Sequence, residues 1–138
     1  MPKKVLEFSV RTSTEQSVEE LRERLEESLG CHFSEGEYEE VPAFVTEFFG
    51  MRVALYRWGD DYLLESSIED IRFLEAAERD PLEPVRISQA VADTLTILGA
   101  GEWRISSPAD IAKDNAYGEQ LEQRYLDAEG PPPWADET

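Results

Sequence analysis

Apolar and polar residues alternate loosely from Lys4 to Val10 among strand-forming types, which predicts a first strand. The rhythm then lengthens. Val18, Leu21, Leu25 and Leu29 recur at intervals of three and four, so they share one face of a helix. Ser17 and Glu20 have the spacing of a capping box at its start. Gly30 supplies the left-handed residue that ends it. Cys31 to Val41 returns to a short alternation, with Glu35, Glu37 and Glu39 on one face of an extended segment and Gly36, Tyr38 and Glu40 on the other. Pro42 then suits a first helical position, and Ala43 to Phe49 reads as a short apolar helix closed by Gly50.

Met51 to Trp58 is rich in β-branched and aromatic residues, Gly59-Asp60-Asp61 is a turn, and Tyr62 to Ile68 returns as a hairpin partner. Ile71 to Glu75 suits a strand, with Ile71 and Phe73 alternating, although its wider surroundings also fit a helix. Asp80-Pro81 and Glu83-Pro84 mark a loop. Ser88 is placed to cap a helix whose inner face is Val91, Leu95 and Leu98, ended by Gly99-Ala100-Gly101. Glu102 to Ser106 is a last strand. Ser107-Pro108-Ala109-Asp110 opens a final polar helix that runs to Glu129 and carries a Tyr117, Leu121, Tyr125 stripe.

The order β-α-β-α-β-β-β-α-β-α, with strands joined by tight turns, predicts an α+β fold. Its sheet should be mostly antiparallel, of five to six strands, with three to four helices packed on it. Residues 1–129 are expected to form this single domain, and the Pro-rich acidic residues 130–138 a mobile tail. Of 138 residues, 41 % are hydrophobic, which is enough for a core without a metal or disulfide staple.

Charge narrows the choice of partner. Asp and Glu number 31 against 13 Lys and Arg, a net charge of −18. Direct binding to nucleic acid or to an anionic membrane is disfavoured, whereas a basic protein would be drawn in by long-range attraction. A generally acidic, salt-adapted proteome would give the same balance. One cysteine, Cys31, permits no internal disulfide and fits a reducing compartment, and no apolar run approaches a membrane span of about 20 residues or a signal peptide, so the expected location is the cytoplasm.

The chemistry of catalysis is sparse. His32 and Cys31 are single representatives of their types and sit at a helix-to-strand junction, so a zinc site or a Ser-His-Asp triad has too few members. Glu35, Glu37 and Glu39 lack the ligand variety of a calcium loop, and GAGEW lacks the lysine and hydroxyl of a phosphate loop. No enzyme, metal or cofactor is therefore expected.

Two segments combine acids with aromatics. Glu35, Glu37, Glu39 and Glu40 surround Tyr38, and Asp60 and Asp61 lie between Trp58 and Tyr62. Aromatic anchors beside charges that complement a basic partner are the substance of protein interfaces, and these nine residues are the candidate contact set. Each segment also fits a plain solvated strand or turn holding a core aromatic.

The segments LEESLGCHFSEGEYEEVPAFVTEFFGMRVALYRWGDDYLLESS and LTILGAGEWRIS resemble the small acidic immunity proteins encoded beside bacterial polymorphic and contact-dependent toxins. The resemblance spans residues 18–128 and carries no catalytic motif. It implies a cytosolic protein that binds one cognate toxin domain, often a basic nuclease, and occludes its active site; the chain itself is expected to be a monomer or weak homodimer. It transfers a role and no particular residues. A nucleic-acid mimic of viral or mobile-element origin that blocks a DNA-binding protein is the alternative, and it requires carboxylates spaced like phosphates across one face.

Overall fold

The computed structural model describes residues 3–48, 51–67 and 82–129. Its elements are strands β1 (Lys3–Glu7), β2 (Ser9–Thr12), β3 (Ser34–Tyr38), β4 (Val41–Phe48), β5 (Met51–Trp58), β6 (Asp61–Ser67) and β7 (Leu82–Arg86), with helices α1 (Val18–Leu29), α2 (Ser88–Ile97) and α3 (Pro108–Glu129). The fold is α+β, as the pattern predicts. The segment read as a strand at Ile71 to Glu75 and the tail 130–138 lie outside the described residues. The chain divides after Ile105 into two units.

In the first unit, five strands form an antiparallel sheet in the order β2-β6-β5-β4-β3. Residues paired across antiparallel strands point to the same face. The row Val10, Leu64, Leu55 and Phe44 therefore lies on one side of the sheet. That side meets Leu21 and Leu25 of α1 and Ala92 and Leu95 of α2 in one core, completed by Phe8, Phe33, Val53 and Trp103. Burial of each such large side chain contributes about 1.5–3 kcal/mol, so this face anchors the unit.

Helix α1 forms where its spacing predicts. The Glu20 N–H donates to Ser17 Oγ at 3.2 Å, and Gly30 adopts a φ of 65° as its cap N–H bonds the Glu26 carbonyl. Glu26 then fastens the junction into β3 by accepting the Phe33 N–H at 2.8 Å.

Four expectations are corrected. The helix expected from Ala43 is not formed in the described residues: Val41–Phe48 form the strand β4, paired with β3 and β5. A seven-residue apolar run has no intrinsic period, and its Val, Thr and Phe residues gain more from two flanking strands than from an isolated two-turn helix. The loop at Glu83-Pro84 belongs to β7, which pairs in parallel with β1 over Lys3↔Leu82 to Glu7↔Arg86. Pro84 is accommodated because, among the described residues, β7 pairs with β1 alone, and its other edge requires no N–H. The first strand splits at Phe8, whose N–H donates to Ser66 Oγ and whose carbonyl accepts the Ser66 N–H, so β1 and β2 join different sheets. Glu102 to Ser106 contributes only the bridge Arg11↔Arg104, since the Trp103 N–H is taken by Thr96 Oγ1 rather than by a strand.

Helix α2 differs in detail from its reading. Ser88 is its first residue rather than its cap, and Ser88 Oγ accepts the Ser9 N–H at 3.0 Å. Leu98, expected inside, is half exposed, and Ala92 takes the inner position. In the second unit α3 begins as the sequence reads: the Asp110 N–H donates to Ser107 Oγ, and the Asp110 carboxylate accepts the Ser107 N–H at 2.8 Å.

Candidate protein-binding surface

Strand direction decides what the acidic segments become. β3 runs to Tyr38, β4 runs back from Val41, and β5 returns to Trp58 beside the start of β4. The turn at Glu39-Glu40 and the turn at Gly59-Asp60 thus lie at the same end of the sheet, on neighbouring hairpins. Glu37, Glu39, Glu40 and Asp60 are exposed at or next to these turns, and Glu35, also exposed, lies further along β3 opposite Phe44. Two segments about twenty residues apart in the chain become one acidic end.

The β3–β4 turn has an unusual composition. Glu39 and Glu40 hold φ values of 47° and 69°, the left-handed pair that a two-residue hairpin loop requires. Asn-Gly is the ordinary solution, and a left-handed conformation costs a residue with a Cβ roughly 1–2 kcal/mol. Replacing Glu39→Asn together with Glu40→Gly is expected to raise stability by about 1 kcal/mol. Urea unfolding checks this, and a lowered midpoint would show that the glutamates carry no backbone penalty.

The aromatic members of the candidate set divide. Tyr38 is half-buried and stacks on Tyr56 with ring centroids 5.3 Å apart, on the face away from α1. Trp58 is also half-buried. Tyr62 is buried under α1's end, with its hydroxyl donating to the Gln16 carbonyl at 3.2 Å. Tyr56 donates its hydroxyl to Glu65; burial first, and that bond second, push its pKa up and keep it protonated.

Asp61 is placed apart from its neighbour Asp60. Only 5 % exposed, it accepts from Arg11 Nη1 at 3.0 Å and from Ser13 Oγ at 2.6 Å, with Arg104 Nη2 at 3.5 Å. Its carboxylate faces two guanidiniums of its own chain. The turn thus presents Asp60 outward and holds Asp61 inward.

The structure adds residues that the acid-aromatic pattern did not single out. The β4–β5 pairing begins at Phe44↔Leu55, because Pro42 has no N–H to offer β5. Where the two strands are left unpaired, a groove of about 400 Å³ opens on the α1 side of the sheet. Its apolar walls include Val18, Pro42, Phe44, Leu55 and Tyr62, and Glu19 and Glu35 stand at it with Arg57. Proline inside a strand-like run was the available signal, but the sequence pattern assigned Pro42 to a helix start.

Among the described residues no group of three His, Cys, Asp or Glu side chains is arranged to hold a metal. Burial, and then the charge of Glu26, raise the pKa of the Cys31 thiol, which disfavours the thiolate. His32 Nδ1 lies 3.1 Å from Glu26 at the same junction. No described helix is long and apolar enough to cross a membrane. Comparison with protein-family models, curated proteins and solved structures gives no match to this chain.

Proposed function

We propose that this chain is an immunity protein, a stoichiometric inhibitor that acts in the cytosol by binding a cognate toxin domain and occluding its active site. The observation that supports this reading best is the convergence of Glu37, Glu39, Glu40 and Asp60 on one end of the sheet, beside the half-buried rings of Tyr38 and Trp58 and with Glu35 further along the same strand. A compact acidic end with aromatic anchors suits the basic cleft of a nuclease, where charge gives fast and selective association and aromatic burial gives affinity. A nucleic-acid mimic would spread its carboxylates at regular intervals over a face. The concentration of acids at hairpin tips favours the first reading.

The test uses the protein encoded by the adjacent gene. The two purified proteins should form a 1:1 complex in size-exclusion chromatography and calorimetry, and co-expression should protect cells from the partner's toxicity. Absence of both binding and protection would overturn the proposal.

A further inference from the structure

We infer that Arg52 and the glutamates of β3 form a guard that closes the outer edge of the sheet to a second copy of the chain. The five-stranded sheet has two edges, β2 and β3. The β2 edge is occupied from within, since the Arg11 N–H and carbonyl both pair with Arg104, at 2.8 and 2.9 Å. Among the described residues, β3 has a strand on one side only. Such an edge is a template on which another strand can form, and a second copy brings the same edge to meet it.

The turn fixes which groups face outward. A two-residue loop makes Tyr38 and Val41 a hydrogen-bonded pair, and bonded and open pairs alternate along an antiparallel ladder. Gly36↔Ala43 and Ser34↔Val45 are therefore bonded, whereas Glu35 and Glu37 turn their N–H and C=O groups to the outer edge. Pro42 fits this alternation, because its open pairing with Glu37 asks no N–H of it. Two side chains from other elements cover the ends of the outward row. Arg52 Nη2 donates to the Glu37 carbonyl at 2.8 Å. At the other end the Glu26 carboxylate of α1 accepts the N–H of Phe33, the preceding residue of the same parity, at 2.8 Å. Arg52 belongs to β5, and its guanidinium reaches the edge where Gly36 leaves room: a Cβ there would lie 3.6 Å from Arg52 Nη2. Between the two caps, the outward groups of Glu35 and the Glu37 N–H are flanked by two exposed carboxylates. A second β3 pairing antiparallel about a two-fold axis would set glutamate against glutamate, whichever of Glu35 and Glu37 it centres on. It would also have to displace the guanidinium from a charge-assisted hydrogen bond. The guanidinium thus holds an acceptor that an added strand needs, and the carboxylates repel the copy that would bring it.

The test follows self-association of the full chain by sedimentation velocity in the wild type, in Arg52→Thr, in Glu35→Thr/Glu37→Thr and in the triple variant. Threonine keeps the strand propensity, and circular dichroism monitors the fold. The triple variant is expected to dimerise at least about 100-fold more tightly than the wild type. Amide exchange at positions 35 and 37, read from ¹⁵N-labelled protein, should slow by about tenfold or more in that dimer. Arg52→Thr alone should associate more strongly at 1 M salt than at 0.1 M, since the screening length falls from about 10 Å to about 3 Å and removes the glutamates' part. Should the triple variant fail to fold, this salt series decides the matter. A triple variant as monomeric as the wild type, association that leaves exchange at positions 35 and 37 unchanged, or an Arg52→Thr variant indifferent to salt would each overturn the assignment. So would a wild-type chain that already dimerises with those two amides protected.

Discussion

Replacing Asp61 with alanine is expected to destabilise the chain by about 3–5 kcal/mol, the cost typical of removing one partner from a buried ion pair. Arg11 is only 1 % exposed, and its guanidinium reaches Asp61 at 3.0 Å. The backbone of Arg11 cannot withdraw either, since its N–H and carbonyl both pair with Arg104, at 2.8 and 2.9 Å. Deleting the carboxylate would leave two guanidiniums facing one another, one of them out of water, and would strip Ser13 of its acceptor. An Arg11→Met/Asp61→Leu variant, which removes charge from both partners, should recover most of the loss. Asp60→Asn, one residue away on the exposed side of the turn, should change stability by no more than about 0.5 kcal/mol. Urea midpoints decide the matter. A loss below about 1 kcal/mol for Asp61→Ala would mean that solvent reaches the pair and that its burial is not energetically real.

That contrast shows where sequence reading succeeds and where it ends. Features fixed by neighbours a few residues apart were legible: the Ser17 start and Gly30 end of α1, the β5–β6 hairpin around Gly59, and the Ser107-Pro108 start of α3. Each rests on a local hydrogen bond or dihedral preference that belongs to particular residue types. Asp60 and Asp61 look alike at that range. What separates them is Arg11, 50 residues away, which no local pattern can bring to the turn. The parallel pairing of β1 with β7 is likewise non-local, and a proline in β7 pointed away from it.

The strand β4 failed for a different reason. A short apolar run carries no periodicity to choose between helix and strand, so two flanking strands settled it. The consequence reached the candidate site. With residues 43–49 read as a helix, the acids of β3 and those of the next turn had no common frame. With β4 as a strand, the chain reverses twice between Tyr38 and Trp58 and sets both turns at one end. The acid-aromatic composition was visible in the sequence; its convergence, the groove at Pro42 and the approach of α1's first turn were products of topology.

The convergence itself has a measurable consequence. Neutralising Glu35, Glu37, Glu39 and Glu40 to glutamine and Asp60 to asparagine is expected to weaken binding to the cognate toxin domain by about 100-fold, with most of the change in the association rate at low salt. All these side chains are exposed and none lies in the core, so the fold should be retained and the relief of mutual repulsion should leave stability level or slightly higher. The decisive control removes the same number of charges elsewhere in the first unit, from Glu23, Glu27, Glu47, Glu83 and Asp93, which are also exposed. If the chain attracts its partner only through its overall charge of −18, the two variants must lose equally. If the end of the sheet is the contact, the control should lose several-fold at most. Raising the salt should shrink the control's deficit towards nothing, because charges beyond a screening length of about 3 Å at 1 M cease to act. A residual deficit should persist for the sheet-end variant, whose carboxylates meet their counterparts directly. Stopped-flow association rates across a salt series separate the two cases, and equal losses in both variants would move the interface away from these hairpins.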